Sequence, residues 1–84
     1  MVILEREQFE QMLPLVLSAT KKALQSEAQI TEAGVSFGDA IARVAYGEIM
    51  CYVQINELDE DGELTAWGRV YDAIAEAIAR QVGG

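Results

Sequence analysis

The sequence predicts an all-α fold: a small three-helix domain, packed antiparallel, with the first helix kinked at Pro14. Three observations predict it. Apolar residues recur three and four apart over three separate stretches, the rhythm of one helical face. Much of the 51% hydrophobic fraction is alanine, which favours helix over sheet. A single proline and few Ser/Asn clusters interrupt the chain, unlike a turn-rich all-β domain. The alternative is α+β with a short strand around 49–55, because the stretch IMCYVQI has strong strand propensity; residues 2–4 could belong to the same hairpin.

Residues 2–4, Val-Ile-Leu, are a short apolar start, read as an edge strand or a strap across the core. Glu5, Glu7 and Glu10 then favour a helix N-terminus. Phe9, Leu13, Val16, Leu17, Thr20 and Leu24 share one helical face. Pro14 lies inside that stripe and cannot donate a hydrogen bond to the turn before it. Either the helix kinks there, or a short helix ends near Met12 and another begins with Pro14 at its first position. The stripe crosses the proline without changing phase, which favours the kink. This helix fades near Gln29, with Gly34 as the stop.

Ser36, with Asp39 three residues on, reads as the cap of the second helix. Its buried face is Phe37, Ile41, Val44, Ala45, Ile49, Tyr52 and Ile55, with Asp39, Arg43 and Gln54 on the wet side. Residues 57–63, ELDEDGE, break the pattern, and Gly62 supplies the turn. The last helix spans 64–82, with Trp67, Val70, Tyr71, Ile74, Ile78 and Val82 as its stripe and Glu76 and Arg80 as an (i, i+4) pair. Gly83 and Gly84 end it. Residues 30–42 (ITEAGVSFGDAIA) and 64–75 (LTAWGRVYDAIA) echo each other, as two duplicated helices would, or two amphipathic helices converging under the same packing rules.

The length, 84 residues, is room for one helical domain over 1–84. Fourteen Asp and Glu against six Lys and Arg leave a net charge of −8. Phosphate backbones need concentrated positive charge, so direct nucleic-acid binding is excluded, and an anionic membrane surface by the same sign. A basic protein surface is the partner such a charge attracts. Cys51 is the one cysteine, which rules out an internal disulfide and suits a reducing, cytoplasmic setting. It is read as a small buried hydrophobe. With no histidine in the chain, Cys51 has no base to activate it and no zinc-ligand set to join, so no metal site and no catalytic residues are assigned. The start, MVILEREQFE, lacks a basic n-region and a long apolar core, so no signal peptide is expected. No cofactor motif is present; in particular there is no glycine-rich phosphate loop.

The acidic loop is the most specific local pattern. Counting from Glu57, it resembles an EF-hand calcium loop: Glu57, Asp59 and Asp61 at positions 1, 3 and 5, Gly62 at 6, Leu64 at 8 and Thr65 at 9. It departs at position 1, where Glu replaces Asp, and at position 12, where Gly68 lacks the carboxylate that closes the calcium shell. A degenerate calcium loop is therefore an alternative function. Ala33-Gly34-Val35-Ser36 resembles the turn of a helix-turn-helix, but the following helix carries Asp39, Arg43 and Glu48 for a net of −1, against DNA reading.

The leading expectation is a non-enzymatic acidic module that occupies a basic, nucleic-acid-binding type of surface on a partner protein. In size, charge and helicity the chain is similar to small phage-encoded inhibitors of host defence such as anti-CRISPR proteins, and to immunity proteins and antitoxins. The expected contact residues are Glu57, Asp59, Glu60, Asp61 and Glu63, then Glu5, Glu7 and Glu10. Tyr46 and Met50, off the main stripe beside Gly47, suit a protein interface; a homo-oligomeric adaptor packing through them is a further alternative.

Overall fold

A computed structural model describes residues 1–83; Gly84, expected to end the last helix, lies outside the described residues. The elements run β1 (Val2–Leu4), α1 (Arg6–Met12), one 3-10 turn (Leu13–Leu15), α2 (Ser18–Glu27), β2 (Gln29–Thr31), β3 (Gly34–Phe37), α3 (Asp39–Asn56) and α4 (Ala66–Val82). The chain is mostly helical, but a three-stranded antiparallel sheet of order β1-β3-β2 corrects the all-α expectation in favour of the α+β alternative, with a strand at Val2–Leu4.

β1 and β3 form where apolar residues recur at every second position. Val2 and Leu4 are buried with Ile3 turned outward, and Val35 and Phe37 face the same core. Gly34, expected as a helix stop, instead opens β3 at φ +136°, a conformation that side chains resist. A Cβ there would also collide with the carbonyl oxygen of Leu4, so glycine lets β1 close onto β3. Ser36 is no cap: it lies within β3, and its hydroxyl donates to the Gln29 carbonyl. The helix cap comes from elsewhere. Gly38 is the N-cap of α3, and its N–H donates to Glu27 Oε2 at 2.6 Å, tying the end of α2 to the start of α3.

The strand alternative at 49–55 is not realised; α3 continues through Asn56. Ala42, Ala45, Ile49 and Val53 are its buried residues, and that helical spacing overrides local strand propensity. At Pro14 the chain breaks instead of kinking. α1 stops at Met12, the missing N–H is absorbed in the 3-10 turn, and Val16 and Leu17 are extended before α2 begins at Ser18. The continuous stripe is thereby split: Phe9, Met12, Leu15, Thr20 and Leu24 are buried, while Leu17 is 68% exposed.

Phe9 and Phe37, with ring centroids 5.8 Å apart, join α1 to the sheet, and Ile49, Ile74 and Ile78 join α3 to α4. Arg43 on α3 donates to the Val82 carbonyl at the C-terminus of α4, where a cation is favoured. The edge of β1 is closed by a side chain. Ile3 N–H donates to Gln81 Oε1 at 2.8 Å, and Gln81 Nε2 donates to the Ile3 carbonyl at 2.9 Å. One amide thus replaces a neighbouring strand.

Candidate functional site

The acidic loop is a tight, internally bonded turn. Leu58 and Leu64 bridge antiparallel, the Asp59 N–H donates to the Glu63 carbonyl at 2.8 Å, and the Gly62 N–H donates to the Asp59 carbonyl at 3.0 Å. Gly62 takes φ +79°, the left-handed conformation the turn requires. Two of the five loop carboxylates build it. Asp59 Oδ1 accepts the N–H groups of Asp61 and Glu63, each at 2.9 Å. Glu57 Oε1 accepts the Thr65 hydroxyl at 2.6 Å, and Thr65 Oγ1 accepts the Gly68 N–H, capping α4. Glu60, Asp61 and Glu63 are left pointing to solvent.

None of the five forms an ion pair. The one ion pair among the described residues joins the Met1 amino group to Asp39. Its hydrogen bond, and then its charge, hold the Asp39 carboxyl below the usual range. The expected Glu76–Arg80 pair does not close. Gly68, at the EF-hand closing position, is buried in α4 against Glu57. Among the described residues no three metal-ligating side chains converge.

The secondary acidic residues lie apart from the loop at the start of α1. Glu5 is two residues from Ile3, which bonds Gln81, and Gln81 is about 22 Å along α4 from the loop end of that helix. Glu7 accepts from Gln11, and Glu10 lines an open groove with Arg6, Phe9 and Ile30. Tyr46 is exposed and Met50 half-buried; with Asp72 and Glu76 they line a shallow groove between α3 and α4.

Sequence reasoning missed Glu48. This half-buried residue of α3 accepts both the Leu17 N–H and the Thr20 hydroxyl at 2.9 Å, seating the start of α2 on α3. The donors it accepts from lie about 30 positions away, so no local pattern could announce it. Cys51, expected to be buried, is exposed, and it lines a groove of about 260 Å³ with Leu15, Leu17, Tyr52 and Ile55. Trp67, expected in the core, is 56% exposed and stacks on Tyr71 with centroids 5.7 Å apart. Burial raises the Tyr71 phenol above its ordinary value of 10.0, with Tyr52 and the charge of Glu57 adding to the effect.

No helix among the described residues is long and apolar enough to cross a membrane. No protein-family model, curated protein or solved structure matches the chain.

Proposed function

We propose that the chain is a non-enzymatic protein-binding module that presents the loop 57–63 to a basic surface of a partner protein, in the manner of an inhibitor that occupies a nucleic-acid-binding face. The observation that carries this reading is the state of Glu60, Asp61 and Glu63. They are exposed, have no cationic neighbour within ion-pair reach, and stand on a turn already fixed by Asp59 and Glu57. A rigid display of charge loses little freedom on binding and raises the rate of encounter.

The test is capture of a partner by the tagged chain, followed by the variant E60Q/D61N/E63Q, which leaves both loop-building carboxylates in place. The variant should lose the partner, while E5Q/E7Q/E10Q keeps it. Retention by the loop variant would remove the loop from the contact. A homo-oligomeric adaptor is the second reading, favoured by exposed Tyr46 beside half-buried Met50 on the α3–α4 groove. Light scattering that gives a monomer at all concentrations would eliminate it.

A further inference from the structure

The core stripes of α3 and α4 are longer than the structure that covers them. Each helix is about 26 Å long, whereas strands of three or four residues span only about 10–13 Å. The sheet lies at one end of the helical pair: β3 leads into α3 through Gly38, and Gln81 near the end of α4 bonds β1. The molecule is accordingly elongated, 39 × 24 × 24 Å. Midway along α3 the start of α2 meets it at Glu48, and the last two turns of α3 run past that contact towards the opposite end. There the sequence still writes core residues, but Ile55 is 74% exposed and Trp67 is also open. Tyr52 links the two sides. It lines the groove with Leu17 and Ile55, and its ring meets Tyr71 edge-on at 5.9 Å, while Tyr71 stacks on Trp67.

We propose that this uncovered tip, Leu17, Tyr52, Ile55 and Trp67, is the apolar anchor site for a segment of another protein that carries a row of apolar side chains flanked by lysine or arginine. This rests on the binding reading above and names its contact chemistry. Interfaces concentrate their affinity in Trp and Tyr anchors surrounded by a polar rim. The rim here is the loop 57–63, which begins two residues after Ile55 and ends three residues before Ala66. Charge selects the occupant. Twofold pairing of two copies through the tip would bring two loops of five carboxylates each together, whereas a basic-flanked segment neutralises one loop as it covers the apolar row.

The test uses the isotope-labelled full chain and a synthetic peptide of about 18 residues, long enough for a helix of five turns, with leucines and a tryptophan on one face and lysines at both ends. Two companion peptides replace the apolar row by serine, or the lysines by glutamate. The expected result is that only the first peptide shifts the amides of residues 51–56 and 66–71. The variant L17A/I55A should weaken its binding at least about tenfold with little change in unfolding midpoint, because both side chains are exposed and alanine neither caps α2 at position 17 nor disfavours α3 at position 55. Equal binding of the serine peptide would overturn the anchor and leave the charged loop as the whole contact. Equal binding of the glutamate peptide would overturn the basic flank and the proposed function with it. Shifts on another face, no binding by any of the three, or tip resonances that move with protein concentration alone would each overturn the inference.

Discussion

Gly68→Ala and Gly47→Ala make the same chemical change in two helices and should move stability in opposite directions. A methyl group at Gly68 would stand 2.9 Å from the carbonyl oxygen of Glu57, 3.0 Å from its Cβ and 3.3 Å from Leu64 Cδ2. That carbonyl cannot swing aside, because it already accepts the Thr65 N–H at 2.9 Å. The start of α4 must lift, straining the Thr65–Glu57 bonds that anchor the loop. Overpacking of this kind costs about 1–3 kcal/mol. At Gly47 nothing lies within 4 Å of the added carbon, and replacing a mid-helix glycine by alanine gains about 0.5–1 kcal/mol. The two variants should therefore differ by about 1.5–4 kcal/mol, at about 4–8 °C in Tm per kcal/mol for a domain of this size. Urea and thermal unfolding followed by circular dichroism measure both. If Gly68→Ala stabilises the chain as Gly47→Ala does, α4 is not seated on Glu57 and the rigid loop is wrongly described.

Three further outcomes follow from the same geometry. Glu48→Ala should cost about 1–3 kcal/mol in urea unfolding, since the buried Thr20 hydroxyl and the Leu17 N–H lose their acceptor; Glu48→Gln, which can accept from one and donate to the other, should recover most of it. Gln81→Ala should cost about 0.5–1.5 kcal/mol and raise hydrogen exchange at Ile3, because both bonds are lost; Gln81→Glu, which cannot donate to the Ile3 carbonyl but still accepts the Ile3 N–H, should keep that amide protected, and an unchanged rate in Gln81→Ala would show that β1 is protected by something else. The folded Tyr71 pKa is raised, so the stability it contributes is complete below its unfolded value and is lost as pH climbs through the folded value. The phenol that disappears from the ultraviolet titration in Tyr71→Phe should be one that ionises above the ordinary tyrosine value, and loss of a phenol that ionises at the ordinary value would contradict the burial of Tyr71.

Helical content, the C-terminal ends of α3 and α4, the loop position and the apolar strip at residues 2–4 are all legible in the sequence, because each depends on neighbours within a few positions. What escaped depends on partners far away. Thr31-Glu32-Ala33-Gly34 and Thr65-Ala66-Trp67-Gly68 look alike, yet they build different structures. In the first, the Thr31 hydroxyl donates to the Gly34 carbonyl inside the β2–β3 turn; in the second, Thr65 accepts the Gly68 N–H and starts a helix. The difference is β1, which pairs with Val35 and Phe37 and draws the first segment into a sheet. The echo is therefore one of letters, not of structure.

Periodicity identifies the faces of α3 and α4 but not where their cover ends, so it assigns Ile55 and Trp67 to the core although both are exposed. The acidic residues divide in the same way. Counting charge cannot separate Glu27, Glu48, Glu57 and Asp59, which close backbone and hydroxyl donors within the fold, from Glu60, Asp61 and Glu63, which close none.

The most direct test of the central claim is the affinity of the captured partner for the native chain and for E60Q/D61N/E63Q, measured as salt rises from about 50 to about 300 mM, across which the screening length falls from about 14 to about 6 Å. Native affinity should fall at least about tenfold over that range, and the variant should start weaker and change little. A native affinity that stays level, or two chains with the same salt slope, would contradict the assignment of Glu60, Asp61 and Glu63 as the contact.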